Sequence, residues 1–196
     1  MRMRRSAFLL AVVAAAVTGA PAVAATSHTI KPQVHDVADD WRVASQDILD
    51  ATYTATATKV QADIHLSSAP ALGVRSDYDA AMTVGCHVWS LHYSWVGGLP
   101  GATASLDEYA CTSGNAVNDE LTGGKPIASY PATATVTASG IRIVAPSTKV
   151  LHRGVKVWAF AETHLEPLIV GVGLDWTSPS VGGDLAGSAK AFVLGH

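Results

Sequence analysis

Cysteine is almost missing from this 196-residue chain, with Cys86 and Cys111 the only two. They lie far apart, so the short Cys-x-x-Cys spacing of a thiolate metal site is excluded. Charge is scarce too, at 15 % of residues. Beyond the first 24 residues only four arginines remain, Arg42, Arg75, Arg142 and Arg153, and they are scattered. Phosphate recognition needs clustered Lys and Arg, so nucleic acid and anionic membrane are excluded as partners. Long hydrophobic runs are absent apart from one, Ala7–Ala20, and its 14 residues fall short of the ~20 that a membrane span requires. A sustained 3.6-residue periodicity is missing as well, which excludes a helical core.

The motifs of nucleophilic catalysis are also lacking. There is no Gly-x-Ser-x-Gly and no Ser-x-x-Lys. Cys111-Thr112-Ser113-Gly114-Asn115 comes nearest to a serine-nucleophile run, without its flanking glycine and acid. Gly171, Gly173 and Gly182-Gly183 are not followed by helical sequence, so no phosphate-cradling loop is present. No residue is assigned a catalytic role from the sequence.

What is present begins with an export signal. Met1–Arg5 reads MRMRR, a cationic lead into the apolar run, and Pro21-Ala22-Val23-Ala24-Ala25 supplies the small residues that signal peptidase needs. Cleavage is expected after Ala24, with Ala25 the alternative, and the product is expected to be secreted, in the medium or the cell-wall space. Losing Arg2, Arg4 and Arg5 leaves ten basic residues against sixteen acidic ones, so the formal charge moves from −3 to −6. An oxidising compartment makes one intramolecular disulfide, Cys86–Cys111, the expected state of the two cysteines.

The remainder alternates with period two. Lys59–Leu66 sets Val60, Ala62, Ile64 and Leu66 against polar neighbours, and with the Thr-rich Asp47–Thr58 it reads as a hairpin. In Cys86–Val96 the residues His87, Trp89, Leu91, Tyr93 and Trp95 share one face, and Cys86, Val88, Ser90, His92 and Ser94 share the other. That pattern reads as a central strand with an aromatic side. Further strands are expected at Asp77–Gly85, Ala104–Thr112, Ala132–Ala138, Ile141–Ala145, Val155–Thr163, Leu168–Asp175 and Ser188–Leu194, with a short helical turn at Pro146–Leu151. Gly, Pro, Ser and Asn punctuate the connections. The fold class expected is all-β: one antiparallel β-sandwich of about nine or ten strands over 47–196, preceded by a lead-in segment over 25–46 with an edge strand.

Candidate sites are few. Asp36, Asp39 and Asp40 in the lead-in, with Asp175 late in the chain, supply hard oxygen ligands of the kind calcium takes, and Asp36, Asp40 and Asp175 are the set proposed. The bland alternative is a solvated acidic loop. Eight histidines are spread along the chain, with His87 and His92 five residues apart and on opposite faces of their strand, so no local metal motif forms. Among the tryptophans, Trp89 belongs to a core face, whereas Trp176 sits at a strand-to-loop junction and is the expected exposed ring for ligand stacking.

The lead-in aspartates, Asp47-Ile48, Tyr78, Gly140-Ile141-Arg142-Ile143-Val144-Ala145-Pro146 and Ala191-Phe192-Val193-Leu194-Gly195 together carry a resemblance. In strand order and spacing the chain resembles the uncharacterised secreted β-sandwich proteins of actinobacteria, and more distantly the DOMON-type and carbohydrate-binding sandwiches. The resemblance implies a non-enzymatic module that binds a carbohydrate, cell-wall or protein ligand, and brings no catalytic residue with it. An extracellular hydrolase with a site assembled across strands and a structural protein of the envelope are the alternatives.

Overall fold

The computed structural model describes residues 26–30, 47–70, 75–95, 102–110, 125–166, 186–187 and 190–196. Twelve strands lie within them: β1 (Ser27–Ile30), β2 (Ile48–Ala55), β3 (Lys59–Leu66), β4 (Arg75–Val84), β5 (His87–Trp95), β6 (Thr103–Ala110), β7 (Ala128–Pro131), β8 (Thr133–Thr137), β9 (Gly140–Pro146), β10 (Lys156–Glu166), β11 (Ala186–Gly187) and β12 (Phe192–Val193). All pairings are antiparallel. One sheet runs β1-β2-β3-β9-β8; the other runs β11-β10-β4-β5-β6-β7, with β12 also on β10. The two pack face to face as a β-sandwich, and no helix occurs among the described residues.

The period-two patterns become the core. Val60, Ala62, Ile64 and Leu66 of β3 meet Trp89, Leu91 and Tyr93 of β5 in one buried cluster with Tyr53, Tyr78, Met82 and Ile143. Each of the larger aliphatic side chains among them contributes roughly 1.5–3 kcal/mol on leaving water. Buried in the same interior, the Tyr53 hydroxyl donates to the carbonyl of Phe160 at 2.6 Å and so ties β2 of one sheet to β10 of the other.

Turn chemistry sets the registers. Gly85-Cys86 is a two-residue loop between Val84 and His87, with positive φ at Gly85 alone, the requirement of the first position of a II′ turn. Thr56 closes the β2–β3 hairpin, its Oγ1 accepting from the backbone N–H of Thr58 and Lys59. A register shift between Ile48 and Asp50 throws Leu49 outward as the extra residue of a bulge.

Two local readings change. The segment after Pro146 makes no helical turn; Thr148 Oγ1 accepts from the N–H of Val150 and Leu151 and forms a compact side-chain turn instead. The strand expected from Ala132 is one of two. Residues 128–131 pair with β6 in one sheet, Ala132 carries the chain across, and 133–137 pair with β9 in the other. Pro131 ends the first piece because it cannot donate to a ladder. The strand expected at Leu168–Asp175 lies outside the described residues, as does Met1–Ala25.

Candidate functional site

One face of β5 fills the core, so its other face must look away from it. Along that outer face stand Val88, Ser90, His92 and Ser94, flanked through the register by Asp77 and Asp79 of β4 and by Ser105 and Asp107 of β6. One strand further, Glu162 of β10 lies opposite Asp79. An outer sheet face is ordinarily solvated, yet Ser90, Asp79, Asp107 and Glu162 are all buried. Buried polar groups need partners, and Ser90, Asp79 and Asp107 have theirs on this face.

Asp79 is the hub. Its Oδ1 accepts from the Ser90 hydroxyl at 2.9 Å and from His92 Nδ1 at 2.8 Å. His92 Nε2 faces Asp77 Oδ1 at 3.9 Å, and Ser105 Oγ donates to Asp107 Oδ2 at 2.7 Å. Burial alone would lower the imidazole pKa. The Asp79 charge, its hydrogen bond and the charges of Asp77 and Asp107 overcome that, and His92 is pushed up to about 9. The ring is therefore an imidazolium at neutral pH, a donor at both nitrogens.

This fixes what the cluster can do. A serine nucleophile needs a neutral imidazole to accept its proton, whereas here His92 already holds that proton and the Ser90 hydroxyl points at the same carboxylate. The constellation has the residue types of a triad without its hydrogen-bond order. The arrangement is a fixed donor beside carboxylate acceptors. His92 retains 28 % side-chain exposure, half-buried beside the buried Ser90 and Asp79.

The same outer face carries an exposed aromatic ring. Trp158 of β10 is 53 % exposed and four residues from Glu162 on the same side of the strand, about 13 Å along it. It is an exposed tryptophan among the described residues; Trp176, the ring expected to be exposed, lies outside them. So do Asp36, Asp40 and Asp175, the expected calcium ligands. No group of three or more His, Cys, Asp or Glu among the described residues is arranged to hold a metal ion, and no described helix is long and apolar enough to cross a membrane.

The remaining histidines do separate work. His87 Nδ1 lies 2.8 Å from Glu108 at the end of the core face, and His65 pairs with Asp50 on the outer face of the other sheet. There Arg142 also bonds Asp63, which Gln61 holds from its other oxygen. Strand alternation alone did not single out His92. The available signal was the polar side of β5 set beside Asp77-Tyr78-Asp79, whose own alternation puts both acids on the side opposite Tyr78. The chain matches no protein-family model, no curated protein and no solved structure.

Proposed function

We propose that this protein is an exported, non-enzymatic binding module that takes a polyhydroxylated ligand, a glycan of the cell wall or its surroundings, on the outer face of the six-strand path β11 to β7. The observation that carries the reading is the Asp79 hub, which holds a protonated His92 beside Asp77 on the side of the sheet away from the core. Carboxylates accept from sugar hydroxyls, the imidazolium donates to them, and Trp158 offers an apolar ring for the sugar face. Hydrolysis is the weaker reading, because His92, which shares Asp79 with Ser90, is already protonated.

Co-sedimentation of the mature chain with insoluble peptidoglycan and with chitin tests this. The wild type should pellet with at least one of them at neutral pH. Trp158→Ala should weaken that binding by about 2–10-fold, the range for losing an aromatic contact. Retention on neither polymer, or equal retention of the variant, would defeat the proposal.

Export rests on the Met1–Arg5 and Ala7–Ala24 signal, and it carries the disulfide with it. Cys86 occupies the β4–β5 turn, and Cys111 follows directly on Ala110, whose register partner is His87, the residue after Cys86. No free cysteine occurs among the described residues. The Cys86–Cys111 link would close its loop at a gain of roughly 3 kcal/mol on the chain-entropy model. Intact mass of the unreduced protein should show the loss of two hydrogens; alkylation of two thiols without reductant is the contrary result.

A further inference from the structure

Edges are where a sandwich is open to another chain, and the described edges here are unequally guarded. Strand β1 is four residues long, with His28 stacked on Phe192 at a ring separation of 3.7 Å. Strand β7 is four residues ending in Pro131, and β11 and β12 have two residues each. Short strands and proline are the usual means of blunting an edge. Strand β8, one residue longer than β1 and β7, carries no blocking residue. Thr133-Ala134-Thr135-Val136-Thr137 contains no proline and no charge, pairs with β9 without a bulge, and is otherwise the last strand of its sheet.

The strand is also incompletely covered. Val136 lies on the inner side with Ala134, opposite the core residue Ile141, yet remains 37 % exposed. Its sequence reads almost the same in both directions about Thr135. If a second β8 approached antiparallel with Thr135 on the two-fold axis, Thr133 would face Thr137 of the other copy and Ala134 would face Val136. The inner side would then pair apolar residues and the outer side threonines, a combination favoured across strands. No like charges would meet.

We propose that two copies of this chain associate through β8, joining their five-stranded sheets into one continuous ten-stranded sheet with Thr135 on the dyad. The contact is isologous, as a two-fold dimer requires. An interface of one edge strand is small, so the association is weak and concentration-dependent, with Kd of roughly 0.1 mM. It uses the sheet opposite the one that carries Asp79, His92 and Trp158.

Sedimentation velocity of the mature chain from about 10 μM to about 1 mM reads the association, alongside Thr135→Lys, Thr135→Glu and their equimolar mixture. Thr135 points to the outer face opposite Arg142, whose charge Asp63 already offsets, so either charge costs the monomer little, and thermal midpoints close to the wild type's verify this. The wild type should grow in average mass with concentration. Each variant alone should weaken association by at least about fivefold, since identical charges then face each other across the dyad, and mixing the two should restore it. A wild type that stays monomeric to about 1 mM, or single variants that associate as it does, would overturn the proposal, as would a mixture no tighter than its components.

Discussion

Replacing Gly140 by alanine is expected to destabilise the protein by at least ~3 kcal/mol, which for a chain of this size lowers Tm by roughly 6–12 °C. The reason is local and geometric. Gly140 opens β9 opposite His65 with φ of +152°, and a Cβ there would lie 1.9 Å from the carbonyl oxygen of Ile64 and 3.0 Å from its carbonyl carbon. The obstructing atoms are backbone near the end of β3, so no side-chain rotation relieves the clash. Relief requires the β3–β9 pairing to open at its end, where Ile64 meets Ile141, and both are core residues. Thermal or denaturant unfolding of Gly140→Ala reads the effect directly. A loss below about 0.5 kcal/mol, the range of an ordinary surface substitution, would mean that β9 enters the sheet differently from this description.

That glycine also illustrates how far the sequence alone reaches. Gly140-Ile141-Arg142-Ile143 is legible as a strand because Ile141 and Ile143 alternate with Arg142, and the alternation correctly assigns which side is core. Whether the glycine is a turn residue or the place where two backbones touch depends on β3, about 75 residues earlier, and no local pattern holds that information. The same division runs through the fold. Val60, Ala62, Ile64 and Leu66, and Trp89, Leu91 and Tyr93, are buried as their period-two spacing demands. Turns of the Gly85-Cys86 kind follow from residue type. The switch of sheets at Ala132 was not legible, because a strand that leaves one sheet and enters another keeps its extended conformation and its alternation throughout.

The site divides differently. Its members are ordinary residues of four neighbouring strands, and each polar one alone reads as a residue of a solvated face. Ser90 and His92 are two apart and therefore share a side, but what makes them a unit is Asp79, which the β4–β5 register places directly opposite His92. Registers are set by turn length, here by the two residues of the Gly85-Cys86 loop, and a single added residue would turn Asp79 to the other face of the sheet. Trp158 was one of several tryptophans, and its exposure follows from its place on the outer side of β10 beside Thr83 rather than from any neighbour in sequence.

The Asp79–His92 pair should dominate the pH dependence of this protein on the alkaline side. The His92 pKa is raised in the folded protein from 6.5 to about 9, so its contribution to stability is complete below about pH 6.5 and is lost as pH rises through 9. A shift of this size corresponds to on the order of 3 kcal/mol. Wild-type stability should therefore fall by about that amount between pH 6 and pH 10, measured by denaturant unfolding, and His92→Gln should show a much flatter profile across the same window. Asp79→Ala removes the acceptor of both Ser90 and His92 and leaves a buried cation without its closest partner, a change that typically costs about 3–5 kcal/mol. Asp79→Asn separates charge from shape: it can still accept through its amide oxygen, but the attraction that raises the imidazole pKa is gone. Proton NMR of the His92 ring should then place its midpoint more than one pH unit below the wild-type value. A wild-type midpoint near 6.5 would show that Asp79 does not hold His92 as an imidazolium, and the recognition chemistry assigned to this face would lose its fixed donor at neutral pH.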